Sequence, residues 1–447
     1  MITESRLGAF VGLGAFAALE RDELFVVTPP LKHPRSRALV DSLPGYLGEI
    51  DIPREVVEAY RRLEQTLIAA RHRRAYALRF SLDALPAAER RRAKLTGLPL
   101  VHRIEERRVL KGIAPADALA TLVDRLKPDL VAGVFSYWAN AIVFDALAVA
   151  RERGVPSLLV NSNWDGICCV GGFPVWPDYL GVWGEQTIEH AADIHGFPRE
   201  RAIKLGAAGF QQYFDIDPAG VPSPFPFRYV LFPGTHARWD ERAPLARLNR
   251  LISERGLDLK IVYRPYPGRY TRDRSDYVDE NELEHVIIDP DVRDQYLHDF
   301  GLGPAPPPAP PFPTLTYFPA LLSNAEFVVC PMSTMVVESA LLDRRVIVPT
   351  YDDGIHTQLP LTEVSRFEIF DRMDEVEHFR VVRSEDQLAA AFDELTRMPP
   401  PAPGAVRDDP VVRWWLHWDE RTYAERLAAA VEEIVLGAPR EPAAMLA

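Results

Sequence analysis

Ser333, Thr334 and Glu338 are the residues best spaced for chemistry, because Phe327 to Thr350 reads FVVCPMSTMVVESALLDRRVIVPT. An apolar strand, a Ser-Thr turn, a short helix with one acid and a second strand succeed one another. At such a junction the two hydroxyls and the free backbone N–H groups of the first helical turn face an anion. Glu338 sits one turn along, where a carboxylate accepts hydrogen bonds from ribose hydroxyls rather than repelling phosphate. The stretch therefore reads as a cradle for a nucleoside diphosphate. An ordinary βαβ unit whose Ser-Thr only caps the helix would look the same.

Other candidates lie after apolar strands. Arg264 ends the strand in IVYRPYPGR, where a guanidinium clamps phosphate or carboxylate with two parallel hydrogen bonds. His236 and Arg238 follow a strand in FPGTHARWD, and Gly234-Thr235 supplies backbone N–H groups for an anion. Asp352, Asp353 and His356 follow the strand Val346 to Thr350 and are candidates to meet sugar hydroxyls. Asp165, beside Trp164 in SLLVNSNWDG, is the candidate general base, since an indole neighbour desolvates a carboxylate and raises its pKa. An Asp opening a turn before Gly166 is equally ordinary. Asp215-Ile216-Asp217 and Asp289-Pro290-Asp291 match a DxD spacing, but among 64 acids such matches arise by chance, and neither is assigned to a metal.

These residues need parallel sheets to hold them. Short apolar segments alternate with helical ones: strands at Leu24–Thr28, Asp129–Phe135, Ser157–Val160, Tyr179–Trp183 and Ala202–Gly206, and helices at Val56–Arg74, Asp117–Leu126, Ala139–Arg153 and from about Glu185. The proline-rich Asp215–Phe227 breaks the pattern, and a second alternation starts at Tyr229–Phe232. It runs through a helix near Pro244–Arg255 and strands at Lys260–Tyr263 and His285–Ile288 to the proline tract Gly303–Pro313, a stiff surface loop, and then the cradle. A terminal amphipathic helix spans about Glu420–Val435. The expected domains are 1–215 on the acceptor side, a linker at 216–227, and 228–447 for the nucleotide donor, with the terminal helix in the second. Ligands of such open α/β sheets are expected in the interdomain cleft.

At 447 residues the chain is long enough for two such domains, and its net charge of −13 excludes general nucleic-acid binding. Cationic residues nonetheless crowd one region: Arg71, Arg73, Arg74, Arg90, Arg91, Arg92, Lys94, Arg103, Arg107, Arg108 and Lys111. A solvated helix face is the simpler reading, and a face for anionic lipid or for the acceptor is the other. The three cysteines form neither a CxxC pair nor a zinc pattern, which suits a reducing compartment. Leu7 to Leu19 mimics a signal-peptide core, but Glu4 spoils the basic flank, so a buried first helix is expected.

Taken in order, the segments from about Lys127 to Leu395 resemble the GT-B superfamily of glycosyltransferases, in a bacterial branch near the CDP-glycerol glycerophosphotransferases and UDP-GlcNAc 2-epimerases. The resemblance rests on NSNWDG, on WPDYLGVWGEQTIEHAADIHGFPRERAIKLGAAGFQQYFD, on RPYP at Arg264–Pro267 and on STMVVE at Ser333–Glu338. It departs from the branch at Asn163 and Gly166, which flank the Trp-Asp pair, and at Tyr266, where the branch has His. What it implies is a GT-B fold of two doubly wound Rossmann-like domains. The implied activity is a metal-independent transfer, without cofactor, of a sugar or polyol phosphate from a nucleotide-activated donor to a glycan or lipid-linked acceptor in surface-glycan synthesis. Ser333, Thr334, Glu338, Arg264, Arg238 and His236 would bind the donor nucleotide, and Asp165 would act as base. The implied place is the cytoplasm, with peripheral contact at the inner face of an anionic membrane. A sugar-nucleotide epimerase on the same fold is a second reading. A non-catalytic binding or scaffold protein, which kept the cradle and lost the base, is a third.

Overall fold

The computed structural model describes residues 1–19, 24–112, 116–135, 141–169, 172–218, 220–237, 239–266, 276–305 and 317–437. They form two compact units. The first takes Met1–Gln211, Phe367–Ile369 and the chain from Trp414 onward; the second takes Gln212–Arg366 and Phe370–Arg413.

In the first unit, strands β1 (Val26–Thr28) and β2 (Tyr46–Glu49) pair in parallel, and β3 (Val131–Phe135), β4 (Ser157–Asn161), β5 (Tyr179–Val182) and β6 (Ala202–Lys204) form a parallel sheet in that order. The opening residues join the two pieces. Ile2 N–H donates to Val27 O at 3.3 Å and Val134 N–H donates to Met1 O at 2.9 Å, so the chain start lies extended between β1 and β3. Three residues are too few to show a period, so the sequence pattern predicts no strand there. The buried helix expected at Leu7–Leu19 is instead a run of short helical turns, broken where Gly14 adopts φ +67°. Its Leu7, Phe10, Ala15 and Leu19 are nevertheless core residues.

Between β2 and β3 the described residues form five helices: an excursion of four, Arg54–Arg71, Tyr76–Asp83, Ala87–Thr96 and Pro99–Gly112, and then Asp117–Leu126, which leads into β3. Helix Ala141–Arg153 is buried on nearly all sides, as befits one covering a parallel sheet. The terminal helix Tyr423–Gly437 belongs to this first unit, not to the second as expected. Its Tyr423, Leu427, Ala430 and Ile434 bury against Phe10, Leu19 and Leu205. An amphipathic stripe shows that a helix needs an apolar partner without showing which sheet provides it.

In the second unit, β7 (Tyr229–Pro233), β8 (Lys260–Arg264), β9 (Val286–Ile288), β10 (Val328–Val329), β11 (Val346–Pro349) and β12 (Phe379–Val382) form one parallel sheet ordered β12-β11-β10-β7-β8-β9. The chain leaves β7 in one direction, through β8 and β9, and returns on its other side at β10. The switch point of the sheet is therefore between the carboxyl ends of β7 and β10. Most of the proline tract Gly303–Pro313 lies outside the described residues.

Candidate functional site

The strand–turn–helix expected at 327–350 is present in the second unit. β10 ends at Val329, the turn carries Ser333 and Thr334, and helix Met335–Leu341 follows. Ser333 Oγ accepts from Met335 N–H at 3.2 Å and lies 3.3 Å from Cys330 Sγ. Thr334 is exposed, and its hydroxyl donates to Glu338 Oε1 at 3.4 Å. The other carboxylate oxygen of Glu338 accepts from the Tyr213 hydroxyl. Loss of solvation pushes the Glu338 carboxyl up to about 7, against the opposing pull of the Tyr213 and Thr334 hydroxyls and the Arg264 charge. The same desolvation and the facing carboxylate raise the Tyr213 phenol far above its ordinary value. Thr334, Glu338 and Tyr213 thus make one hydrogen-bonded group beside the switch point. Sequence reasoning missed Tyr213, which lies 125 positions from its partner.

Arg264, at the carboxyl end of β8, is held by acids. Its guanidinium pairs with Asp289, which is fully buried, and with Asp291 at 3.0 Å, and it lies over the Phe318 ring at 5.1 Å. Tyr317 donates its hydroxyl hydrogen to Asp289. The Asp289-Pro290-Asp291 stretch is thereby a clamp for Arg264 and the start of helix Pro290–Asp299, where Asp289 Oδ1 caps Asp291 N–H at 3.1 Å. Burial works to lower the Arg264 pKa, but its two acids outweigh that and raise it, so the group stays cationic.

The turn after β7 is occupied from within. Thr235 N–H donates to the buried Glu241 at 2.8 Å, Tyr263 donates to the same carboxylate at 2.5 Å, and Ala237 N–H donates to Thr235 Oγ1 at 3.1 Å. Gly234 is required there, since a Cβ would come within 2.9 Å of Glu241 Oε2 and of the Tyr266 backbone nitrogen. His236 is exposed beside Tyr266, with ring centroids 5.4 Å apart. Arg238 lies outside the described residues.

Asp352 and Asp353 organise the loop after β11. Asp352 accepts from Thr362 N–H at 3.1 Å and Thr362 Oγ1 at 2.5 Å, ahead of helix Leu361–Val364. Asp353 accepts from Ile355 and His356 N–H, each at 2.8 Å, from Asp240 N–H at 2.6 Å, and pairs with His356 Nδ1 at 2.6 Å. These bonds hold the Asp353 carboxyl below its ordinary pKa despite its burial.

In the first unit, Asp165 sits in the turn Trp164–Gly166 after β4. Burial raises its pKa, while its own backbone, the Asn163 side chain and the Arg6 charge act in the opposite direction. The direction is that required of a general base. Its neighbour Trp164 is a core residue: the indole donates to Gln186 Oε1 at 2.7 Å and packs edge-on to Trp415 at 5.4 Å. Arg6 follows the extended opening residues that lie between β1 and β3. The helical excursion and helix Ala141–Arg153 border an open-sided pocket of about 960 Å³, lined by Val57, Ile68, Leu82, Val109 and Phe144, with Glu64 and Arg92 among its polar members. Desolvation pushes the Glu64 carboxyl up to about 7, against the charge of Arg61.

Among the described residues no group of three or more His, Cys, Asp or Glu is arranged to hold a metal ion, and no helix is long and apolar enough to cross a membrane.

No protein-family model matches the chain, and no curated protein matches its sequence. Solved structures do share its fold. The S. aureus MnaA–UDP complex is 12% identical with a TM-score of 0.50, covering 98% of this chain and 97% of that one. A Listeria monocytogenes protein assigned as a UDP-N-acetylglucosamine 2-epimerase is 11% identical with a TM-score of 0.51 and the same coverage. A further UDP-N-acetylglucosamine 2-epimerase gives 12% and 0.50, again over 98% and 97%. The fold is GT-B, as the order of motifs implied.

Proposed function

We propose that this protein is a GT-B transferase that moves a sugar or polyol phosphate from a nucleotide-activated donor to a glycan or lipid-linked acceptor in surface-glycan synthesis. One observation carries the reading: Ser333, Thr334 and Glu338, whose carboxylate is held by the Thr334 and Tyr213 hydroxyls, stand together after the carboxyl end of β10, beside the switch point of the second sheet. A likeness in fold to a protein solved with UDP supports the same ligand class.

In this reading the Ser333 and Thr334 hydroxyls and the N–H groups of the turn meet the donor phosphates, and Glu338 accepts from ribose hydroxyls. The acceptor hydroxyl attacks, its proton passes to Asp165, and the nucleotide leaves with its charge met by those fixed donors rather than by a metal. Arg264 contributes its positive field from behind its carboxylate clamp. Asp352, Asp353 and His356 shape the loop below the sugar, and His236 borders the donor. The protein works at the cytoplasmic side, with its acceptor at an anionic membrane surface.

The test is donor turnover with and without acceptor, in chelator and in added magnesium. Nucleotide release that needs the acceptor and survives chelation supports the transferase. Turnover of donor alone to an isomer supports the epimerase instead, and donor binding with no turnover supports the non-catalytic reading.

A further inference from the structure

The helical excursion of the first unit exposes an apolar stretch that its own core does not use. Helix Ala87–Thr96 has no buried residue. Across the turn into Pro99–Gly112, Leu95, Leu98, Leu100, Val101 and Ile104 are all exposed, Leu95 by 62% and Leu100 by 71%. Scattered exposed leucines need no explanation, but five within ten positions form a patch. The turn between the helices is held in place. Gly97 packs on helix Arg54–Arg71 so closely that a Cβ would sit 2.5 Å from Ala69 O.

Charge says what the patch faces. From Ala87 to Gly112 the sequence has eight cationic residues, among them Arg91, Arg103, Arg107 and Arg108, against three acids, in a chain whose net charge is −13. Arg91, Arg92, Lys94, Arg103, Arg107 and Arg108 are exposed alongside the leucines. Exposed aliphatic side chains ringed by Arg and Lys match an anionic bilayer surface, where the apolar groups enter the acyl boundary and the cations stay at the headgroups. A second copy of the same face would set cation against cation.

We propose that the turn Leu95–Ile104 inserts into the interface of an anionic lipid bilayer, with the flanking arginines on the headgroups, and so fixes the protein peripherally where a lipid-linked acceptor lies. This deepens the transferase reading, but lipid binding is measured without donor or turnover, so either can fail alone.

Flotation of the full chain with phosphatidylcholine vesicles, with and without phosphatidylglycerol, tests it. The protein should float with the anionic vesicles, be released by salt, and stay behind with the neutral ones. The triple variant Leu98→Ser, Leu100→Ser, Ile104→Ser should lose about tenfold or more of the bound fraction. Arg91→Glu, Arg103→Glu, Arg107→Glu should lose as much and shed the salt dependence. All six positions are exposed, so unchanged thermal unfolding should confirm that both variants fold. Failure of the native chain to float, equal binding to neutral vesicles, or serine variants that float undiminished would overturn the proposal. So would a concentration-dependent dimer that the serine variant abolishes, which would make the patch a contact between copies.

Discussion

Tyr213 gives its phenolic hydrogen to Glu338, and Thr334 gives its hydroxyl hydrogen to the opposite carboxylate oxygen at 3.4 Å. Both bonds favour the ionised acid, while burial favours the neutral one and holds it near pH 7. In the proposed site, ribose hydroxyls would donate to the same ionised form. Nucleotide affinity should therefore rise between about pH 6 and pH 8, with a proton released on binding at the lower end. Tyr213→Phe removes one stabilising donor, so the midpoint of that rise should move up. Calorimetric titration across the range checks both; a flat profile in the native protein would separate Glu338 from the nucleotide.

Thr334→Ala and Glu338→Ala should each weaken nucleotide binding by roughly tenfold or more, since a charge-assisted hydrogen bond contributes about 1.5–3 kcal/mol. Thr334 is exposed and Glu338 half-buried at the edge of the core, so unfolding midpoints should stay near that of the native chain. Unchanged affinity in both variants would remove them from the site.

Arg264 predicts a stability effect instead. Arg264→Met leaves Asp289 buried without its cation, a change that costs roughly 3–5 kcal/mol. Adding Asp289→Asn removes the orphaned charge and should recover much of the loss. Urea unfolding of the single and double variants measures this. A stable single variant that had lost its nucleotide would return Arg264 to the phosphate-clamp role suggested by its place after β8.

Much of the fold could be read from the sequence because buried parallel strands are continuous apolar runs. Ser157–Asn161, Tyr229–Pro233 and Val346–Pro349 fall within a residue of their expected bounds. The cradle was legible for the same reason, as a Ser-Thr turn between two such runs. What escaped was set by distant partners. Tyr46–Glu49 and Phe379–Val382 are edge strands with half-exposed patterns, and Met1–Ile2 takes its extended form from hydrogen bonds to Val27 and Val134. Likewise the occupation of Arg264 by Asp289 and Asp291, and of Asp353 by His356 and Asp240, follows from loop geometry that residue types alone do not encode.

Glu64 provides a pH signature in the first unit. Its folded pKa of about 7 lies above the ordinary carboxylate value. The proton is therefore held more tightly in the folded state. This contribution is fully present below about pH 4.5 and is lost as pH rises through 7. Glu64→Gln should match the native protein near pH 4.5 and exceed it by about 1–2 kcal/mol at pH 8. Chemical unfolding at the two pH values checks the sign; a variant less stable at pH 8 would mean that the ionised form is the one the fold holds.

Asp165→Asn separates base from turn residue. Asn keeps the shape of the turn, and Thr334 and Glu338 lie in the other unit, so if Asp165 is the base, donor affinity should be nearly unchanged while the transfer rate falls by roughly a hundredfold or more. A variant with near-normal turnover would leave Asp165 as a turn residue.

In the proposed function the second unit holds a nucleotide at Thr334 and Glu338. Thermal unfolding with a panel of nucleoside mono- and diphosphates, run in parallel on the native chain and on Glu338→Ala, tests it most directly, because a ligand that binds only the folded state raises its midpoint with concentration. At least one nucleotide should raise the native midpoint in a saturable way, and Glu338→Ala should blunt the rise. No shift with any nucleotide, or an equal shift in both proteins, would contradict it.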